Sequence, residues 1–279
     1  MLSYRHAFHA GNHADVLKHL TEVLTLDHLL QKQDKPLCYI DTHSGPGMYA
    51  LLQGYAQQNT EYETGISKLW QQRSLPEPLA RYVEVVAAHN PGGSLKCYPG
   101  SPAIAKHLLK SDDRLQLFEL HPKDFELLQD WAKGNRRIRV QRENGFERLT
   151  AILPPPERRA LVLIDPPYEV KQDYQLAITA LQRALKRFPT GVYLLWYPLL
   201  ARPEIQTMER KLKQLAGRYL HASLQVQDAS SGGMFGSAVF VINPPWRLNE
   251  QLGQCLPFLL QQLGQDSAAK ISLNSHGLD

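Results

Sequence analysis

Hydrophobic positions along this chain fall into two patterns, one recurring every three or four residues and one forming short continuous runs. Val16, Leu20, Val23 and Leu30, with Leu17 and Leu24 beside them, follow the first pattern. They predict a helix capped by Asn12, running to about Lys32, with one apolar face. The continuous runs PLCYID (36–41), LQLFEL (115–120), IRVQ (138–141), LVLI (161–164) and VYLLW (192–196) read as buried strands. Helical spacing returns between them at 124–132, 170–188 and 203–216, the last with Pro203 in its first turn and Gly217 beyond its end. Strands that alternate with helices and are apolar on both sides predict a parallel sheet covered on both faces. LHASLQVQ (220–227) and GSAVFVIN (236–243) are separated only by DASSGGMF, too short for a crossover helix, so they predict an antiparallel hairpin closing the sheet.

One interval breaks this rhythm. More than seventy residues lie between the first strand and LQLFEL, where one helix would suffice. SPAIAKHLLK (101–110) supplies that helix, with Ser101 as its expected cap and Pro102 at its first position. Residues 48–97 are then an inserted helical subdomain. Ile66, Leu69 and Trp70 mark one helix and Leu79, Tyr82, Val83 and Val86 another, stopped by Asn90-Pro91-Gly92-Gly93. The expected division is a main domain of 1–47 and 98–265, with 1–12 as an N-terminal arm, the insert at 48–97, and a C-terminal tail at 266–279.

Composition narrows the class further. No apolar run approaches the roughly 18 residues of a membrane span, and the polar, histidine-rich start lacks the apolar core of a signal peptide. Three scattered cysteines (Cys38, Cys97, Cys255) argue against a disulfide framework or a zinc motif. The expectation is a cytoplasmic protein with no membrane partner and no metal. The net charge of +4 suits a polyanionic partner without demanding one. Basic clusters at Arg136, Arg137, Arg139 and Arg142, and at Arg210, Lys211, Lys213 and Arg218, are either solvated faces or a backbone grip.

The loop DTHSGPG after the first strand admits two readings. Gly45-Pro46-Gly47-Met48-Tyr49-Ala50 fits a G-x-G-x-x-A dinucleotide fingerprint, with Glu61 or Glu63 at the distance of a ribose acid. That reading, an NAD-dependent dehydrogenase, needs those acids at the end of a second strand, and YAQQNTEYETG (55–65) does not resemble one. LQLFEL does, and it puts Glu119 in the ribose position, as in methyltransferases that use S-adenosylmethionine. Gly45 and Gly47 then let the backbone approach the nucleoside.

The fourth strand ends in Asp165-Pro166-Pro167-Tyr168. A carboxylate at the carboxyl edge of a parallel sheet can accept a hydrogen bond from an amino group on a heteroaromatic ring. The lone pair of such an amine is delocalised, so acceptors on Asp165 and the Pro166 carbonyl that draw both N–H bonds to one side would free it toward a methyl donor. The prolines fix the backbone and add no competing N–H. Tyr168 offers a flat face for an extruded base.

With these motifs the sequence resembles the amino-methyltransferases. MLSYRHAFHAGNHADVLKH, DTHSGPG, YPGSP, ELHP, IDPPYE, WYP and INPPW together resemble, over nearly the whole chain, the bacterial 23S rRNA adenine-N6 methyltransferases of the RlmJ type. The resemblance implies a Rossmann-like class I methyltransferase fold, S-adenosylmethionine as cofactor, and 23S rRNA as partner, free or in an early assembly particle, with the enzyme a monomer. It implies that the N-terminal arm brings Tyr4 and His6 to the substrate, with Lys18 and His19 near the cofactor or catalytic centre. It also places His43, Ser101 and Glu119 on S-adenosylmethionine, and Asn144-Gly145 beside its adenine. There the family pattern has Asp-Gly, and an amide oxygen or Glu143 would have to substitute.

Plainer readings stand beside these. Lys18 could be a solvated helix residue near Glu22, and Tyr4 and His6 part of a frayed terminus. His9, His13 and His19 lack the HExxH or CxxC company of a metal site. Asn243-Pro244-Pro245-Trp246 ends the hairpin and is expected to be structural, while Trp196-Tyr197-Pro198 either lines a base pocket or fills the core. A DNA adenine-N6 methyltransferase would share every catalytic residue, and a silent RNA-binding protein would bind without transfer.

Overall fold

In the computed structural model, which describes residues 8–52 and 59–278, the predicted strands form the centre of an eight-stranded sheet. β1 (Cys38–Asp41) lies in the middle, and β2 (Met48–Ala50) and β3 (Cys97–Pro99) pair apart from it as a small antiparallel hairpin. β4 (Arg114–Phe118) and β5 (Ile138–Gln141) extend the sheet to one side of β1, and β6 (Ala160–Ile164) and β7 (Val192–Leu199) to the other, all parallel. The predicted hairpin follows as β8 (Tyr219–Gln225) and β9 (Gly236–Ile242), with β9 inserted antiparallel between β7 and β8. The architecture is the expected α/β one, mostly parallel with an antiparallel edge.

Register aligns the business end of the sheet. Asp41 pairs with Leu117 on β4 and Leu163 on β6, so Glu119 and Asp165, each two residues further on, emerge on either side of the loop leaving β1. Chain order reverses across β1, and in such sheets the crevice beyond the carboxyl ends is where ligands bind.

Helices cover both faces. α1 (His13–Leu29) starts where the Asn12 side chain accepts N–H bonds from Ala14 (2.9 Å) and Asp15 (3.0 Å), as its sequence predicts. α2 (Ile66–Trp70) and α3 (Glu77–Ala88) fall in the stretch expected to be an insert, and the β2–β3 hairpin joins the two ends of that stretch. Asn90 closes the turn after α3, donating to Val86 O and Cys97 O and accepting from Lys96 N and Cys97 N. α4 (Ser101–Leu108), α5 (Pro122–Ala132), α6 (Gly145–Ile152), α7 (Gln172–Arg187) and α8 (Pro203–Leu215) are the connections between strands.

Three expectations need correction. α1 does not present one apolar face: every residue from His13 to Leu26 is buried, because the helix packs on β9 and α4 and is covered by α3 and by α9 (Leu248–Leu263). Ser101 does not cap α4; Gly100 holds that place, and the serine hydroxyl turns instead to Asp41. The stretch expected to be a tail contains β10 (Lys270–His276), which pairs antiparallel with β8 along its whole length and packs against α9. Its polar, half-exposed residues hide it from hydropathy.

Deleting residues 267–279 should therefore strip β8 of its partner and uncover apolar surface on α9. We expect a lower thermal midpoint and self-association by size-exclusion chromatography, because an unpaired strand edge recruits other chains. An unchanged midpoint with a monodisperse protein would show β10 to be dispensable.

Candidate active site

Two cavities open at the carboxyl edge of the sheet, one on each side of the loop that follows β6. The first, of about 180 Å³, is walled by the loops after β1, β4, β5 and β6 and by Lys18 and His19 of α1. The β1 loop reaches it because Gly45 takes a positive φ (+60°) and leaves no room for a side chain, whose Cβ would lie 2.6 Å from the Tyr49 hydroxyl. Glu119 braces that loop: its carboxylate accepts the Gly45 N–H at 2.8 Å and the His121 N–H at 2.7 Å. Burial pushes this carboxyl up to about 7 although both N–H groups favour its charge. Each oxygen keeps a lone pair for one more donor, which fits a vicinal diol such as ribose.

Beneath the loop lies Asp41, fully buried, its Oδ2 accepting from the Ser101 hydroxyl (2.7 Å) and the Tyr39 hydroxyl (3.3 Å) and its Oδ1 from the His43 N–H. Burial raises it to about 6, opposed by the Ser101 and His43 bonds. The His43 ring packs edge-on against Phe146, and burial lowers it to about 3, so it is a neutral wall of the cavity. Gly145 starts α6 in direct contact with Thr42, whose carbonyl oxygen would be 2.1 Å from any Cβ. Asn144 caps α6 by accepting the Phe146 N–H, and both Asn144 and Gly145 line the cavity. Glu143 pairs with Arg148 at 2.8 Å instead and is not part of the wall.

The centre of the site is an ion cluster. Lys18, 2% exposed, sets its ammonium 2.6 Å from Oδ2 of Asp165 and 2.7 Å from Oδ1 of Asp15. Burial opposes its charge, but the two carboxylates outweigh that and hold it well above the usual lysine range. Lys18 is thus neither solvated nor paired with Glu22, which is fully buried one turn on and is pushed well above the carboxylate range by desolvation. His19 lines the first cavity and shares a 2.7 Å hydrogen bond with Tyr98, which continues to Tyr82 at 2.8 Å.

The second cavity, of about 150 Å³, has mostly apolar walls: Pro167, Tyr168, Trp196, Pro198, Leu200 and Met234, with His9, Asn12 and Ala14 from the start of the described chain. Pro167 borders both cavities. Tyr168 has φ +52°, unusual for a bulky residue. Its hydroxyl donates to Trp196 O at 2.8 Å and its carbonyl accepts from Arg202 at 3.3 Å, and its ring lies 4.7 Å from that of Tyr174. The Lys18 ammonium stands 5.4 Å from the Trp196 ring, so one cation touches the walls of both cavities.

Most residues singled out in the sequence converge here. Lys18, His19, His43, Gly45, Ser101, Glu119, Asn144, Gly145, Asp165 and Pro166 line the first cavity, and Tyr168 the second. Gly47 does not: at φ +84° it faces Trp131 and Leu128, and its carbonyl accepts the Gly100 N–H. Tyr4 and His6 lie outside the described residues. Trp196 and Pro198 line the second cavity, whereas Tyr197 is core, bonded to Glu209 and His221. Asn243 ties its loop to Pro189 O and Gly191 O at 2.8 Å each, a structural role. Glu61 faces His9 and Asn12 and Glu63 faces solvent, so neither is a ribose acid and the dinucleotide reading fails. Asp15, Thr42, Tyr49, His121 and Phe146 were not anticipated. Thr42, Tyr49 and His121 lie inside motifs singled out above, and Asp15 stands three residues before Lys18 on the same buried helix.

The family model described as ribosomal RNA large subunit methyltransferase D, RlmJ, matches residues 34–274. Ribosomal RNA large subunit methyltransferase J of Escherichia coli K12 is 47% identical over 268 residues, covering 94% of each chain. The Haemophilus influenzae protein of the same name is 46% identical over 266 residues, with the same coverage. A Legionella pneumophila protein of known crystal structure is 36% identical and superposes with a TM-score of 0.90 over 96% of this chain and 99% of its own. The chain belongs to the RlmJ family of ribosomal RNA large subunit methyltransferases.

Proposed function

We propose that this protein methylates the N6 amino group of an adenine in 23S rRNA, with S-adenosylmethionine in the first cavity and the extruded base in the second. One observation carries the reading: Asp165-Pro166-Pro167-Tyr168 forms the partition between the cavities, with Asp165 on one side, Tyr168 on the other and Pro167 on both. The relatives named above are large-subunit ribosomal RNA methyltransferases, which supports RNA as the substrate.

When bound, S-adenosylmethionine supplies an electrophilic methyl group on a sulfonium. Glu119 would accept the ribose hydroxyls, His43 and Phe146 would wall the nucleoside, and Asn144-Gly145 would border its base. Lys18 occupies Oδ2 of Asp165 and leaves Oδ1 to accept an N–H of the substrate amine. With the Pro166 carbonyl taking the other N–H, the nitrogen lone pair leaves ring conjugation. The methylated nitrogen carries one proton too many, and Asp165 is the base that receives it and passes it to solvent. Tyr168 and Trp196 wall the cavity and offer the base an aromatic face. The exposed Arg139 on β5, Arg142 just beyond it, and Arg210 and Lys213 on α8 are candidates for gripping the RNA backbone, so binding should weaken as salt rises. The enzyme is proposed to act as a monomer on free RNA or an early assembly particle.

The decisive test is transfer of labelled methyl to unmodified 23S rRNA followed by nucleoside analysis. Wild type should yield N6-methyladenosine, and Asp165→Ala should lose roughly 10²- to 10⁴-fold in kcat. Label in another nucleoside would overturn the base assignment, and no label in any RNA would overturn the activity.

Glu119 makes donor binding pH-dependent. Its carboxyl is raised to about 7 in the folded protein, so it gains a proton as pH falls through that value and loses an acceptor for the ribose. S-Adenosylmethionine affinity, measured by calorimetry, should fall below about pH 7 in wild type, whereas Glu119→Gln should bind more weakly with that limb absent. Equal pH dependence in both would remove Glu119 from donor binding.

A further inference from the structure

The carboxylate of Glu61 leaves the insert, from a short turn at Glu61–Thr64, and reaches two residues on the wall of the second cavity. Its Oε1 and Oε2 lie 2.9 and 3.0 Å from Nδ1 of His9, and Oε2 also accepts from Nδ2 of Asn12 at 2.8 Å. The bond to Asn12 orients the amide so that its oxygen caps α1. The backbones are clamped at the same place. Ile66 N–H donates to Gly11 O at 2.8 Å, and a Cβ on Gly65 would fall 2.1 Å from that oxygen.

We infer that Glu61 is a positioning residue for the RNA: through His9 and Asn12 it sets the polar side of the cavity that takes the adenine, which makes the insert part of the substrate site. The inference rests on the proposal that this cavity receives the extruded base. Among the described residues the remaining walls offer stacking and apolar contact, so polar contacts to the base beyond those of Asp165 and the Pro166 carbonyl come from this side. Burial disfavours charge on His9, but the Glu61 hydrogen bond and charge, with Asp15 adding to them, raise it above its ordinary value. Burial likewise works against Glu61, and His9 and Asn12 bring it below the usual carboxylate value. His13, the next histidine, is pushed down to about 4 by burial and stays neutral. Among the described residues, the titrating groups that act on His9 include Glu61 from the insert and Asp15 and His13 from α1.

The sign follows. The His9 charge is present below its raised pKa and is lost as pH rises through it. Without the Glu61 carboxylate, burial dominates and the loss moves below the ordinary histidine value of about 6.5.

The test is steady-state methyl transfer with 23S rRNA varied at saturating S-adenosylmethionine, for wild type, Glu61→Gln, His9→Gln and the double variant across the pH range. Donor affinity and thermal midpoint are measured alongside. Glu61→Gln should raise KM for RNA on the order of tenfold near neutral pH, the loss expected for one charge-assisted hydrogen bond. Its kcat and donor affinity should stay near wild type, and its kcat/KM should decline at lower pH than that of wild type. His9→Gln should lack this limb, and the double variant should be no worse than His9→Gln alone. A Glu61→Gln enzyme with wild-type KM and pH profile overturns the inference. So does one whose thermal midpoint and donor affinity fall with no shift of the pH limb, since that marks a structural tie only. RNA methylation by wild type separates the two levels: if it is absent, the base-cavity reading fails and this inference with it.

Discussion

The site depends on a buried lysine ammonium held between two carboxylates. Removing Lys18 from solvent would be prohibitive alone, and the contacts of 2.7 Å to Asp15 and 2.6 Å to Asp165 are what make it tolerable. That requirement works in both directions. Asp165 projects from the end of β6 toward a helix that starts over a hundred residues earlier in the chain, and the helix can approach only if its charge meets that carboxylate. Breaking a buried pair of this kind costs roughly 3–5 kcal/mol because the remaining partner is left uncompensated. The cluster therefore fixes the β6 loop against α1, and with it the wall shared by the two cavities.

The sheet and the accessory elements divide the work. Strand ends supply the groups whose direction matters chemically, Glu119 and Asp165, and register places them on either side of the β1 loop. Enclosure comes from elsewhere. α1 roofs the first cavity with Lys18 and His19, and the segment before it, clamped by Gly65 and Glu61, borders the second.

The central strands were legible because continuous apolar runs such as LVLI leave few alternatives to a doubly covered sheet, and strand-end carboxylates were legible because chemistry-bearing residues stand out after such runs. What escaped depended on long-range packing. Nothing local distinguishes a lysine on a solvated helix from Lys18, since its burial comes with Asp165 of the β6 loop and the Trp196 ring of β7. Ser101 looked like a cap because local rules favour that role, but buried Asp41 needs a donor more. Gly47 shares a motif with Gly45, yet its Cβ position points at Trp131 and Leu128. Glu61 matched a ribose-acid spacing by coincidence of distance along the chain, while its partners are His9 and Asn12 in a segment some fifty residues earlier. KISLNSH became a strand only because β8 presents a free edge to it.

The position of α1 also bears on how this protein is made. α1 packs against β9 and α9, which are synthesised about 200 residues later. At synthesis rates of about 5–20 residues per second, that delay is roughly 10–40 s. During it, Val16, Leu17, Leu20, Val23 and Leu24 lack much of their final cover, and Lys18 waits for Asp165. A nascent chain in this condition is a natural client for chaperones, because α1 completes its packing only when β9 and α9 arrive.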